Sequence, residues 1–167
     1  MLKFPAASMP VEGATPVNAL ADALTTSLTG TNNDLVFTAK TKGDSLITIA
    51  YVDPGATHTI SVAVVGAAIT VTLGYATGAI SSTAANVASA IAANTAANAL
   101  VGAANAGGND GTGLVTAMAA APLIGGVNGT VMTAGETRFD ASYLYIAITD
   151  NSPADANLRR VSLGSAY

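Results

Sequence analysis

The residues able to do chemistry in this 167-residue chain are few and scattered. The one histidine, His58, follows an Asp53-Pro54-Gly55 turn and stands three residues before Ser61. A histidine activates a hydroxyl only when the ring touches it and an acid orients the ring. His58, Ser61 and Asp53 are close in sequence, but such trios arise easily in a chain rich in Ser and Thr. They are read here as turn chemistry. A metal needs three or four ligands, and with a single His and no Cys the expectation is no metal site. Asp140, Asp150 and Asp155 are the nearest approach to a carboxylate cluster. Two carboxylates flanking a sugar could cleave a glycosidic bond, and Tyr143 and Tyr145, two apart on one strand face, could stack on the ring. The plainer reading is turn-forming aspartates partly paired with Arg138, Arg159 or Arg160. Gly107-Gly108-Asn109-Asp110-Gly111-Thr112-Gly113 has no following Lys-Ser/Thr for a phosphate. It holds one carboxylate where calcium wants several, so it reads as a tight turn.

Composition points the same way. Six basic and ten acidic residues give a net charge of −4. Lys3, Lys40, Lys42, Arg138, Arg159 and Arg160 form no concentrated cationic footprint, so no nucleic-acid partner is expected. No apolar run reaches the length of a membrane span, and Pro5, Ser8, Pro10 and Glu12 break any secretory apolar stretch. The Asn128-Gly129-Thr130 sequon therefore carries little weight. The expectation is a non-enzyme without cofactor, in which half of the residues are hydrophobic and much of the surface serves assembly.

Hydrophobic spacing sets the elements. Residues 1–15 read as an arm whose apolar Leu2, Phe4, Met9 and Val11 have no local core and would dock on a neighbour. Thr15-Pro16 resembles a helix start, and Val17, Leu20, Leu24 and Leu28 follow at helical spacing, which predicts a short helix over 16–28. From residue 33 the period becomes two. Strands are predicted over 35–40, 46–52, 59–65 and 68–73, in one meander. Ser81-Ser82-Thr83 offers cap hydroxyls before an Ala-rich helix over 84–100, its inner face formed by Ala84, Val87, Ala88, Ile91, Thr95 and Ala99. Strands over 101–106 and 114–119 flank the Gly-rich turn. After the Gly125–Gly129 linker, Phe139, Tyr143 and Tyr145 begin a strand whose partner is 159–163. Such a hairpin needs something to pack on. The fold class is α+β: a small antiparallel β-sheet with one main helix packed across it, an N-terminal arm and short helix, and a C-terminal β-hairpin. Its parts are an arm and helix (1–31), an α+β module (32–127) and a hairpin unit (128–167).

Asn33-Asp34-Leu35-Val36-Phe37-Thr38-Ala39-Lys40, then Ile47-Thr48-Ile49-Ala50-Tyr51-Val52-Asp53-Pro54-Gly55 and the Gly107–Gly113 loop resemble a module of tailed-bacteriophage structural proteins. Arg138-Phe139-Asp140-Ala141-Ser142-Tyr143-Leu144-Tyr145-Ile146, closing on Arg159-Arg160-Val161-Ser162-Leu163, is similar to a short C-terminal unit recurrent in phage virion proteins. The loop after Lys40 is shorter than in that module, and Leu158 stands where Trp would precede the Arg pair. The resemblance implies a structural virion protein, first a capsid decoration (cement) protein on the outer head surface. It would be a homo-oligomer, bound to the major capsid protein or other virion proteins, and located in a virion assembled in the host cytoplasm. The alternative is a tail or fibre component with an adhesive hairpin; a glycan-acting enzyme using Asp140 and Asp150 comes third. The candidate interface is Leu2, Phe4, Met9 and Val11 of the arm with Arg138, Phe139, Tyr143, Tyr145, Arg159 and Arg160 of the hairpin.

Overall fold

The computed structural model of the chain describes residues 11–12, 16–139, 142–151 and 156–163. In chain order the first strands are β1 (Val11–Glu12), β2 (Ala21–Thr25), β3 (Leu35–Lys42) and β4 (Thr48–Val52). Next come β5 (Ser61–Val65), β6 (Ala68–Thr72) and the two-residue strands β7 (Tyr75–Ala76) and β8 (Ala79–Ile80). Two helices follow, α1 (Ala84–Ala93) and α2 (Thr95–Leu100). The remaining strands are β9 (Val101–Asn105), β10 (Met118–Pro122), β11 (Thr137–Phe139), β12 (Tyr143–Ala147) and β13 (Leu158–Ser162). The molecule is α+β with a predominance of strand, and it divides into two compact units. The larger is Ala21–Gly126; the smaller takes its described residues from Met1–Leu20 and Val127–Tyr167.

In the larger unit the period-two pattern sorts side chains as expected. Leu35, Phe37 and Ala39 of β3 are buried, while Thr38 and Lys40 face outward. Ile49 and Tyr51 of β4 and Ile69 and Val71 of β6 do the same in a second sheet. The strands do not form one meander. β2, β3 and β9 make an antiparallel three-stranded sheet, and β10, β4, β6 and β5 a mixed four-stranded one. The long loop after β4 carries the chain past its neighbour, so β5 returns at the edge. The hairpin through Gly66, at φ 59°, then inserts β6 parallel to β4. Gly66 permits the left-handed backbone that a tight hairpin needs. Both sheets share one core, closed by Ala84, Val87 and Ile91 of α1. Phe37 and Tyr51 link the sheets edge-on, with ring centroids 6.4 Å apart.

Three sequence expectations are corrected here. Residues 21–25 form strand β2, not part of a helix over 16–28. The segment has weak helix formers in Thr25, Thr26 and Ser27, and ladder bonds to β3 outweigh a marginal propensity. The helix over 84–100 is two helices that meet at Asn94. Its backbone is extended, closing α1 while its side chain caps α2 through the Ala97 amide. Ala84, Val87 and Ile91 keep their inner positions, but the break turns Thr95 and Ala99 outward and puts Ala97 inside. The strand expected over 114–119 starts only at Met118. Gly113 lies so close to the Thr31 carbonyl that a Cβ would collide with it, and the residues after it make only an isolated antiparallel bridge, Leu114 with Thr83, in which the Val115 amide donates to the Ser82 carbonyl.

The smaller unit holds one sheet in the order β1-β11-β12-β13. The expected hairpin is the β12–β13 pair, enlarged by β11 antiparallel to β12 and by β1 parallel to β11. Val11 of the arm therefore pairs with Arg138; Leu2, Phe4 and Met9 lie outside the described residues. The open edge of β13 is plugged by Asn18, whose amide accepts from the Leu158 N–H at 2.9 Å and donates to the Leu158 carbonyl. A side chain thus does the work of a further strand at that residue, a common way of blunting an edge. Met132, Ala147 and Leu158 form a small core.

Candidate functional site

Strand register divides the residues of the expected hairpin interface between two faces. Thr137 opposes Ile146 and Phe139 opposes Leu144 across β11 and β12; Ile146 opposes Arg159 and Leu144 opposes Val161 across β12 and β13. Directly paired residues share a face. One face therefore carries Phe139 and Arg159 with Leu144, Ile146 and Val161. Arg138, Tyr143, Tyr145 and Arg160 share the other, with Ala147 and Leu158.

That second face is the inner one. Tyr145 is buried, as are Ala147 and Leu158. Tyr143 meets Tyr145 edge-on at 6.2 Å, and the Arg160 guanidinium lies 4.5 Å above the Tyr143 ring. This is cation–π packing within the sheet. Arg138 is tied to Glu136 by a 3.0 Å ion pair. The Thr133 amide, with further help from Arg138, holds the Glu136 carboxyl below its ordinary value. The aromatics singled out in the sequence thus pack their own unit.

The first face is open. Val161 is 55% exposed, and Ile148 and Leu163, just past the ends of β12 and β13, are 54% and 52% exposed. Phe139, Leu144 and Ile146 are half-buried in the middle of this face. Leu144 and Ile146 alternate with the tyrosines along β12, whereas the interface expected from sequence named Tyr143 and Tyr145 and neither of these two. The deciding signal is register with Leu158 and Ala147, which only the folded sheet supplies.

The remaining candidates stay apart. His58 Nε2 does lie 3.1 Å from Ser61 Oγ. Asp53, however, accepts from the Gly55 amide, and among the described residues no carboxylate bonds to the ring. Asp150 accepts from the Ala134 amide; Asp140 and Asp155 lie outside the described residues. Asp110 accepts from the Thr112 amide and hydroxyl, closing the Gly-rich turn. Among the described residues no group of three His, Cys, Asp or Glu could hold a metal ion, and no helix there is long and apolar enough to cross a membrane.

One buried carboxylate escaped the sequence reading. Asp22 on β2 is 2% exposed. It accepts from the Ser45 amide at 2.6 Å, the Ser45 hydroxyl at 2.8 Å and the Gly126 amide. These donors, the Ser45 amide foremost, hold its carboxyl below the usual range despite burial. Gly126 packs so tightly that a Cβ would strike Asp22 and the Gly43 carbonyl. Its partners are structural, and they clamp both ends of the larger unit.

No family model matches the chain, and no curated protein or solved structure shows significant similarity to it.

Proposed function

We propose that the chain is a structural component of a tailed-bacteriophage virion, and more specifically a decoration protein bound to the outer head surface. It would act by packing rather than by catalysis, against the major capsid protein and its own copies, in a particle assembled in the host cytoplasm. The motif resemblance supplies the family. The observation that supports a packing role is the outward face of the C-terminal sheet, where Phe139, Leu144, Ile146 and Val161 gather beside Thr137 and Arg159, with Glu12 of β1 paired to Phe139 at its far edge. Exposed apolar groups gathered on one face mark interaction surfaces.

The adhesin alternative asks the aromatic hairpin to meet a receptor. Tyr145 is buried and Tyr143 lies under Arg160, so internal packing already uses the rings such a surface would present. A glycan hydrolase would need two opposed carboxylates about a bond, and Asp150 instead ties down a backbone amide. Labelling purified particles with an antibody against the chain tests the location. Label over the whole head supports decoration; label confined to the tail tip or fibres supports the alternative.

A further inference from the structure

The Asn128-Gly129-Thr130 segment, of little weight as a sequon, carries a second chemistry. Asparagine is a thermolabile residue, and before glycine it can close a ring on itself: the following backbone nitrogen attacks the side-chain carbonyl carbon. Glycine favours the attack because it has no Cβ to crowd it or to restrict the backbone. Asn128-Gly129 is the only Asn-Gly pair in the chain.

The fold leaves this pair uncommitted. It lies outside every strand and helix, and Asn128 is exposed. Gly129 is buried, yet among the described residues nothing bonds to its amide or to the Asn128 side chain. No hydrogen bond has to break before the nitrogen attacks. Other asparagines are held: Asn18, Asn94, Asn98 and Asn109 each use the side-chain oxygen as an acceptor. Asp110-Gly111 could close the same ring from the uncharged acid, but the Thr112 hydroxyl and amide keep the Asp110 carboxylate ionised.

We propose that Asn128 is a site of self-modification, at which the Gly129 nitrogen displaces ammonia from the side chain. The bond from Gly129 N to Asn128 Cγ forms, the Cγ–Nδ2 bond breaks, and the Gly129 amide proton leaves with the ammonia through solvent water. Water then opens the cyclic imide at one carbonyl or the other, giving aspartate or isoaspartate. Asparagine and water thus become acid and ammonia, with no oxidant. Either product adds a negative charge, and such a covalent change alters the local physics. Isoaspartate also routes the main chain through the side-chain carbons, lengthening it by a methylene.

The added length falls between fixed points. Val127 exchanges both backbone hydrogen bonds with Leu20, each 2.9 Å, and the Thr130 amide donates to the Val17 carbonyl at 2.9 Å. The Val17 amide in turn donates to Thr130 Oγ1 at 3.0 Å. Only Asn128 and Gly129 lie between these anchors, so isoaspartate there loosens one of them. The inference stands apart from the virion reading, because the purified chain alone reads it out.

The full-length chain, aged in mildly alkaline buffer, is mapped by peptide mass spectrometry, with labelling by an isoaspartate methyltransferase as a second readout. Conversion at Asn128 should outrun that at every other asparagine, with isoaspartate the larger product. Asn128→Gln should lose both signals, because the longer side chain closes its ring far more slowly. The aged chain should melt below freshly prepared Asn128→Asp, which carries the charge without the length. An Asn128 that stays intact in the folded chain overturns the proposal, whether or not the urea-unfolded chain converts. Conversion no faster than at Asn105, also exposed, overturns it too. An aged chain that melts with Asn128→Asp overturns the stated coupling to the Val17 and Leu20 anchors.

Discussion

Asp22 shows how much one side chain can fix. A carboxylate out of water is costly unless donors surround it, and charge-assisted bonds of this kind are the strong ones. Asparagine there would offer one oxygen and turn an NH2 group toward a donor. Asp22→Asn should therefore cost about 2–4 kcal/mol at neutral pH, the range for lost bonds to a charged group together with an unsatisfied buried donor. The sign of the pH dependence follows from the lowered folded-state pKa. The carboxylate contributes its full stabilisation above the unfolded value, near about 4. That contribution fades as pH falls through the lower, folded value. Urea melts at pH 7 and pH 3 should show the wild type losing more stability on acidification than Asp22→Asn does. Equal stability of the two at pH 7 would remove Asp22 from this role.

At the scale of elements, alternation located β3, β4, β5, β6 and β12 because each has one face in a core. The same rule could not tell which strands are neighbours. The parallel insertion of β6 between β4 and β5 depends on a loop crossing, which leaves no local trace. Residues 16–28 misled because a leucine every three or four positions also fits an irregular segment with one short strand; Leu20 is 58% exposed. The long helix was legible as far as Asn94, where a polar side chain serves two masters: it caps α2 and donates to the Val62 carbonyl on the edge of β5. The aromatic hairpin was legible as a sheet, but which of its faces is open depends on the core beneath it. These contacts carry measurable weight. Ile91→Ala should cost about 2–4 kcal/mol as a core truncation, and Asn94→Ala about 1–2 kcal/mol as a lost cap and strand bond. Equilibrium urea unfolding of the two variants tests both. An Ile91→Ala chain as stable as wild type would mean that α1 does not seal the core as described.

For the whole molecule, the central claim is that the chain works as a repeated structural part of a particle. Dispersed titratable groups, a core drawn from two sheets and two helices, and an open face on the smaller unit with Phe139, Leu144, Ile146 and Val161 at its centre fit that claim better than a localised chemical site. A decoration protein follows the capsid lattice, so its abundance must scale with that of the major capsid protein. An adhesin at a tail tip is limited to the few positions that tip provides. Quantitative mass spectrometry of purified particles, reported as the molar ratio of this chain to the major capsid protein, measures this directly. The account requires a simple ratio near one-to-one or a small fraction of it, corresponding to hundreds of copies per particle. A few copies per particle, or none, would contradict it.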